Sequence, residues 1–230
     1  MLDKDIREPL FDYLDERYGK VRTIEEKIIK KSRADVLAVI DGELLGFEIK
    51  SDSDTYTRLK TQIKDYDAFC DRCYLVVGEH HTQADKHIPE YWGIIIVNEE
   101  NVIVERDADL SPKVKLYNQL DLLWRKELLN IQLKEGLPKL MSTRRRLIYD
   151  RLIEKCGEDK IRQDISEQLF ERDYTIYDSP DTYNKYEKKR KRAQKNKKTV
   201  SKTNRKTNKR RNIEKEMAHV TNYVGKRRKK

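Results

Sequence analysis

The spacing of apolar positions changes along the chain, and each spacing predicts a different element. In residues 5–18 apolar side chains recur every three to four positions, which is typical of an amphipathic helix, and Gly19 predicts its end. A strand around Val21–Ile29 follows, and then two strands, 34–40 and 43–50, in which both faces are apolar. The remaining predicted core elements are a helix at about 55–70 and strands at Tyr74–Val77, Gly93–Val97 and Val102–Val104. This order predicts a mixed α/β core.

After Ser111-Pro112 the pattern becomes helical. We predict helices at 113–135, at about 143–156 and at 159–172, with a break at Gly136-Leu137-Pro138. Composition changes again near the C-terminus, where large apolar residues become rare. The predicted organisation is an α/β core over residues 1–110, an all-helical subdomain over 111–178 and a basic tail over 179–230.

Charge is distributed very unevenly between the body and this tail. The chain carries a net charge of +10, but residues 185–230 hold 21 Lys and Arg against 3 acids, which leaves 30 basic and 38 acidic residues in 1–184. The tail should be largely disordered, because it has too little apolar surface to offset chain entropy. We expect it to bind DNA or RNA without sequence preference; a solubilising tail or a nuclear import signal is the alternative.

The sequence also limits the location and the redox chemistry of the protein. It has no apolar run of membrane-spanning length and no signal peptide, which predicts a cytoplasmic protein without membrane contacts. Three cysteines argue against a disulfide framework. Cys70 and Cys73, followed by His80, His81 and His87, suggest a zinc site at first, but buried packing of the cysteines fits their spacing better.

Candidate chemistry lies in the two strands 34–40 and 43–50. Asp41-Gly42 between them predicts a two-residue turn with positive φ at both positions, which makes every opposed pair sum to 83. Asp35 then faces Glu48 across the strands. Two carboxylates about 5 Å apart repel by roughly 3 kcal/mol at an effective dielectric constant near 20. A hard divalent cation would offset this repulsion.

Lys50 completes this group, since it lies two residues beyond Glu48 and therefore projects from the same face of the strand. A solvated hairpin face with two acids and a compensating lysine is the alternative interpretation. Its weakness is that both strands are apolar on both faces, so that charges at their ends need a partner or a function.

Asp35 and the run Glu48-Ile49-Lys50 resemble the signature of the PD-(D/E)XK, or restriction-endonuclease-like, nuclease superfamily, with Ala34 at the position of the usual Pro. The resemblance covers about residues 5–175. Thr57-Arg58-Leu59 and Gln62-x-x-x-Tyr66 resemble the helix that follows the catalytic strand in several of these nucleases. Val76-Val77-Gly78-Glu79-His80 and Ile88-Pro89-Glu90-Tyr91-Trp92-Gly93 resemble a bacterial and phage subgroup of nuclease-like proteins.

The resemblance implies a restriction-endonuclease-like mixed sheet flanked by helices, and it implies roles for particular residues. Asp35, Glu48 and the Ile49 carbonyl would hold Mg²⁺ or Mn²⁺, and Lys50 would position the attacking water or stabilise negative charge. Arg58, Gln62 and Tyr66 would contact or orient the substrate. Glu8, interpreted as a helix-start residue because Pro9 follows it, and His81 are further candidates.

These residues predict a metal-dependent deoxyribonuclease, with RNA as a possible substrate. The first alternative is a catalytically silent nucleic-acid-binding or adaptor protein on the same scaffold. The second is a partner-binding helical module at 113–175. Endonuclease or exonuclease action, strand preference, the biological pathway and the oligomeric state, including a homodimer, stay open from the sequence.

Overall fold

Helix α1 (Asp3–Tyr18) covers one face of a sheet in the computed structural model, which describes residues 1–81, 83–140 and 144–174. Its first turn is capped by the Asp5 carboxylate, which accepts a hydrogen bond from the Leu2 N–H at 2.9 Å. Gly19, at φ +66°, ends the helix as predicted. Three side chains at helical spacing are fully buried against the sheet: Ile6, Leu10 and Leu14.

The central hairpin has the predicted register. Strands β2 (Ser32–Ile40) and β3 (Glu43–Lys50) are antiparallel, and their pairs run from Ile40 with Glu43 to Val36 with Phe47. In the turn only Gly42 has a positive φ, at +73°, so the prediction of a positive φ at Asp41 as well was wrong. One glycine suffices because the preceding turn residue keeps an ordinary φ.

The strands form one sheet in sequential order within the described residues. The other strands are β1 (Arg22–Ile29), β4 (Arg72–Gly78), β5 (Gly93–Val97) and β6 (Val102–Arg106). Strands β3, β4 and β5 run parallel to one another, and the remaining pairs are antiparallel. The protein therefore has a six-stranded mixed sheet flanked by helices, as the sequence predicted.

The second face of the sheet is covered by later helices. A short 3₁₀ turn (Tyr56–Arg58) leads into α2 (Leu59–Phe69), and α6 (Glu158–Glu171) contacts β2 and β3. The other helices are α3 (Leu116–Asp121), α4 (Arg125–Lys134) and α5 (Arg145–Cys156). The strands β2 and β3 are thus buried on both faces, which accounts for their continuous apolar runs.

The single helix predicted at 113–135 was wrong. Helix α3 ends at Asp121, and Trp124 adopts an extended conformation with φ −82° and ψ 163°. Its N–H is capped by Glu127 Oε2 at 2.5 Å, and this cap begins α4. The apolar side chains of Leu122 and Leu123 are buried in the connection, which explains why the hydrophobic pattern alone resembles one continuous helix.

Residues Met1–Arg172 form one compact unit, and the predicted boundary between core and helical subdomain stays a prediction. The predicted tail, 179–230, lies outside the described residues. Cys70 and Cys73 are buried and form no disulfide, which agrees with the expectation that they pack as small apolar side chains. None of the described helices is both long and apolar enough to span a membrane.

Candidate active site

The regular backbone pairing of β2 with β3 stops at Asp35, and beyond this point side chains form hydrogen bonds with the backbone of the two strands. The last regular pair is Val36 with Phe47. Beyond it the Ile49 N–H donates to Asp35 Oδ2 at 2.9 Å instead of to a backbone carbonyl. The Tyr66 hydroxyl enters the gap, accepting from the Asp35 N–H at 3.0 Å and donating to the Phe47 carbonyl at 3.1 Å.

Tyr66 reaches this gap because α2 lies unusually close to β3 at Gly46. A Cβ placed on Gly46 would come within 2.6 Å of both the Tyr66 ring and Cys70 Sγ. Only glycine leaves room for that approach. Tyr66 itself is completely buried, so it supports the opening of the strands and does not line the cleft where we expected it to meet substrate.

Glu48, Lys50 and Gln62 form a buried polar group beside this opening. Glu48 is 1% exposed, and its Oε1 accepts hydrogen bonds from Lys50 Nζ and from Gln62 Nε2. Lys50 Nζ also lies 3.5 Å from Gln62 Oε1. The other carboxylate oxygen, Glu48 Oε2, is buried and accepts no hydrogen bond from the described residues. One oxygen of a buried anion is therefore left without compensation, which is costly unless a ligand fills the position.

Asp35 is the second acid of the site. Its Oδ2 is held by Ile49, whereas Oδ1 accepts no hydrogen bond from the described residues. Burial and, after it, the charge of Glu48 raise the pKa of Asp35 to about 7, although the hydrogen bond from Ile49 and the charge of Lys50 act in the opposite direction. The two carboxylates thus repel each other as the hairpin register predicted.

These groups line a cleft of about 530 Å³. The predicted site residues that the structure brings together there are Asp35, Glu48, Ile49, Lys50, Arg58 and Gln62. Ile49 contributes its backbone, because its side chain is 3% exposed and packs in the core under α1. Other lining side chains belong to α1, to the β1–β2 turn and to the segment before α2: Asp3, Lys31, Ser32, Arg33, Asp54, Thr57 and Thr61.

The structure does not place Glu8 at the cleft. Glu8 is exposed and lies inside α1, which continues through Pro9, so the prediction of a helix start there was wrong. The α1 acid that lines the cleft is Asp3. It is paired with Arg7, whose Nε lies 2.6 Å from Asp3 Oδ2. Burial of one face of α1 outweighs the local cost of a proline within the helix.

Arg7 is a residue that the sequence analysis missed. Its Nη1 donates to the Asp35 carbonyl oxygen at 3.1 Å, and its guanidinium also contacts Glu25 and Glu26 of β1 at 3.0 and 2.7 Å. It thereby links α1, β1 and the backbone of Asp35. The spacing of Asp3 and Arg7, one helical turn apart, is a signal in the sequence that could have indicated the pair.

His81 lies behind the cleft instead of in it. Its Nε2 is 2.9 Å from the Ser51 carbonyl oxygen and its Nδ1 is 2.8 Å from the Tyr56 hydroxyl. A carbonyl oxygen can only accept, so Nε2 carries the proton in this arrangement. His81 therefore fixes the segment that leaves β3 just after Lys50.

The donor set fits a hard divalent cation. Within the described residues no cluster of three or more His, Cys, Asp or Glu side chains is suited to a metal. Asp35 and Glu48 supply two carboxylates, however, and Mg²⁺ is commonly held by one or two carboxylates with waters and substrate phosphate. Two other buried acid oxygens, Asp52 Oδ1 and Asp164 Oδ2, also lack a hydrogen-bond partner among the described residues, but neither belongs to a residue lining this cleft.

The fold and the site define a mixed α/β protein with two carboxylates and a lysine where two strands of its sheet separate. The chain belongs to the family of bacteriophage P4 protein cII, whose model matches residues 2–197. No curated protein matches the sequence.

Two solved structures are similar to this chain. One is a protein of unknown function from Silicibacter pomeroyi, with 18% identity, a TM-score of 0.40 and coverage of 78% of this chain and 96% of that one. The other is SfsA from Pyrococcus furiosus in complex with Ca²⁺, with 14% identity, a TM-score of 0.30 and coverage of 50% and 66%. Membership of the PD-(D/E)XK superfamily stays a prediction.

Proposed function

We propose that the protein is a metal-dependent nuclease that hydrolyses DNA phosphodiester bonds in the cleft between β2, β3 and α2. The observation that carries this proposal is the buried Glu48 oxygen without a hydrogen-bond partner, beside a second carboxylate whose pKa is raised. A buried carboxylate oxygen without a donor, beside a second acid, is an expected binding position for a cation.

Each group of the chain has a distinct part in this proposal. Asp35 and Glu48, with the Ile49 carbonyl, would hold Mg²⁺ or Mn²⁺, which when bound supplies Lewis-acid polarisation of a phosphate and a lowered water pKa. Gln62 and Lys50 hold Glu48 through Oε1, so that Oε2 stays available. The Lys50 ammonium also lines the cleft, where it can donate to an oxygen that gains negative charge.

DNA is the proposed partner because cationic groups occur both at the cleft and in the tail. Lys31, Arg33 and Arg58 line the cleft around the two acids. The surplus of Lys and Arg in residues 185–230 would add affinity that depends on salt and not on base sequence. Attraction of a polyanion by these groups would bring phosphates to an otherwise acidic site.

The test is cleavage of labelled single-stranded DNA, double-stranded DNA and RNA by the full chain with Mg²⁺, Mn²⁺ or EDTA. Asp35→Asn and Lys50→Met are compared with Asp109→Asn, which changes an exposed acid away from the cleft. We expect wild type and Asp109→Asn to cut only with metal, and the two site variants to bind without cutting.

Two other results would contradict the proposal. Cleavage that persists in EDTA, or in Asp35→Asn, would place the chemistry elsewhere. If the wild type binds every polymer and cuts none with either metal, the chain is a nucleic-acid-binding protein on this scaffold. RNA cleavage without DNA cleavage would keep the site and change its substrate.

A further inference from the structure

The turn between β1 and β2 is tied to α2 by a buried aspartate, so the two form one wall of the cleft. Asp65 is 7% exposed. Its Oδ2 accepts hydrogen bonds from the Lys31 N–H at 3.2 Å, from the Ser32 N–H at 2.9 Å and from the Ser32 hydroxyl at 2.7 Å. The turn also contains Lys30 at φ +50°, an uncommon conformation for lysine. These contacts hold the residues that follow Lys30 against the helix.

Helix α2 places the contacts of the site in a fixed order along its axis. Arg58 immediately precedes the helix, Gln62 is bonded to Glu48, and Tyr66 is bonded to the backbone of Asp35. Asp65, which lies beside Tyr66 in sequence, holds the β1–β2 turn with Lys31. From the start of α2 the order is therefore a cation, then Glu48, and then Asp35 together with a second cation at about the same level of the helix.

The two cations are available to a ligand. Lys31 and Arg58 are exposed, both line the cleft, and neither makes an ion pair with the described residues. Arg33 also lines the cleft, but its Nε is paired with Glu26 Oε2 at 2.5 Å. At 1.5 Å per residue, the seven residues from Arg58 to Asp65 span about 10 Å of helix axis. One strand of B-form DNA advances about 3.4 Å of helix axis per nucleotide, so a span of about 10 Å is long enough for the two steps that separate the phosphates on either side of a central one.

We propose that Lys31 and Arg58 bind the phosphates on either side of the one that faces Asp35 and Glu48. The cleft then takes a linkage inside a polynucleotide chain, and the nuclease cuts internally without needing a free end. This inference rests on the proposed function, because the central phosphate is the one to be hydrolysed. Asp65 is a positioning residue that acts through the β1–β2 turn.

The experiment uses covalently closed circular single-stranded DNA and the full chain. Lys31→Gln and Arg58→Gln are compared with Lys126→Gln, which removes an exposed charge on α4 away from the cleft. We expect wild type to cut the circle with Mg²⁺. Each cleft variant should raise KM severalfold with a smaller change in kcat, and should reduce the slope of log K against log salt, measured in EDTA, by about 0.7. Lys126→Gln should leave KM and kcat unchanged.

A double-mutant cycle separates positioning from a general structural role of Asp65. Asp65→Ala removes the acceptor of all three hydrogen bonds and releases the turn, so it should raise KM in the wild-type background. In the Lys31→Gln background it should raise KM much less, because the cation that it positions is already gone. Additive effects on KM would show that Asp65 does not act through Lys31.

The inference is overturned if Lys31→Gln and Arg58→Gln behave like Lys126→Gln, or if linear DNA is degraded while the circle stays intact. A failure of the proposed function looks different: no DNA is cut with either metal. In that case, smaller slopes of log K against log salt for the two cleft variants would still support phosphate contacts by Lys31 and Arg58. Unchanged slopes would exclude those contacts.

Discussion

Asp67 and Glu48 are both buried carboxylates of the same compact unit, but their oxygens are satisfied very differently. Asp67 accepts hydrogen bonds from Trp92 Nε1 at 2.8 Å, from the Tyr91 hydroxyl at 2.7 Å and from Lys113 Nζ at 3.0 Å, so both of its oxygens have donors. Among the described residues, Glu48 has two donors on one oxygen and none on the other. Asp67 is thus saturated by the protein, whereas the oxygen of Glu48 that lacks a donor belongs to a residue lining the cleft with Asp35, where we propose that a metal binds.

Loss of the Glu48 charge should have the largest effect on activity. Glu48→Gln keeps the size of the side chain but removes the anion that we propose holds the metal. We expect metal-dependent cleavage to fall at least about 100-fold, because the site loses the group that holds the proposed metal. Initial rates with Mg²⁺ measure the loss of activity, and the midpoint of thermal unfolding measures the stability of the variant. If Glu48→Gln lowers the midpoint of thermal unfolding but leaves the cleavage rate of the folded protein unchanged, Glu48 is a structural acid like Asp67.

The opposite pattern is expected for Asp67→Ala. This change leaves the buried Trp92 N–H without an acceptor, and Lys113 loses its partner. We expect the free energy of unfolding to fall by about 3 kcal/mol, with the cleavage rate per folded molecule unchanged. Urea unfolding and rates measured well below the unfolding midpoint test this. A loss of rate without a loss of stability would show that the two acids are not separate in function.

The pH dependence should also distinguish the cleft from the rest of the protein. The pKa of Asp35 is raised to about 7, so between about pH 4 and 7 the folded state binds more protons at this group than the unfolded state. The contribution of Asp35 to stability is therefore lost as the pH rises through 7. Thermal unfolding in EDTA should show a wild type that loses stability relative to Asp35→Asn across this range.

Saturating Mg²⁺ should reverse that loss in the wild type only. A cation that binds the ionised carboxylates of the folded state stabilises it, and more so above pH 7 than below. Asp35→Asn should gain little from Mg²⁺ at any pH. Equal stabilisation of both proteins by the metal would mean that the ion binds outside the cleft.

Two tyrosine hydroxyls give a smaller but matched comparison. Tyr66→Phe leaves the Asp35 N–H and the Phe47 carbonyl unpaired where the strands separate, whereas Tyr91→Phe leaves Asp67 with two other donors. We expect Tyr66→Phe to cost about 1–3 kcal/mol of stability and to lower the cleavage rate. Tyr91→Phe should cost less and leave the rate unchanged. Equal rates for the two variants would show that the opening at Asp35 does not need the Tyr66 hydroxyl.

Local signals explain what the sequence predicted correctly. The Asp41-Gly42 turn sets the register of the hairpin as far as Val36 and Phe47, the neighbours of Asp35 and Glu48, and both acids line the cleft. Alternation along β3 puts Lys50 on the face of Glu48, and the two side chains are in contact. Each of these relations depends on residues fewer than fifteen positions apart, where turn geometry and strand periodicity decide the outcome.

Relations that depend on tertiary packing were missed. Asp65 meets the β1–β2 turn from more than thirty residues away, and nothing in its local pattern indicates that contact. Glu8 resembles a first-helix acid and was expected at a helix start because of Pro9, but the packing of α1 keeps that segment helical and brings Asp3 to the cleft. Close approach of α2 to Gly46, which turns Tyr66 into a support of the site, also follows only from the assembled layers.

Metal binding by the full chain shows whether Asp35 and Glu48 together hold a cation. Mn²⁺ titration followed by electron paramagnetic resonance, in the absence of DNA, would compare wild type, Glu48→Gln, Asp35→Asn and the surface control Asp109→Asn. We predict that wild type and Asp109→Asn bind Mn²⁺ and that both cleft variants lose this ion. Equal binding by all four proteins would contradict this prediction, because the ion would then be held without the two carboxylates.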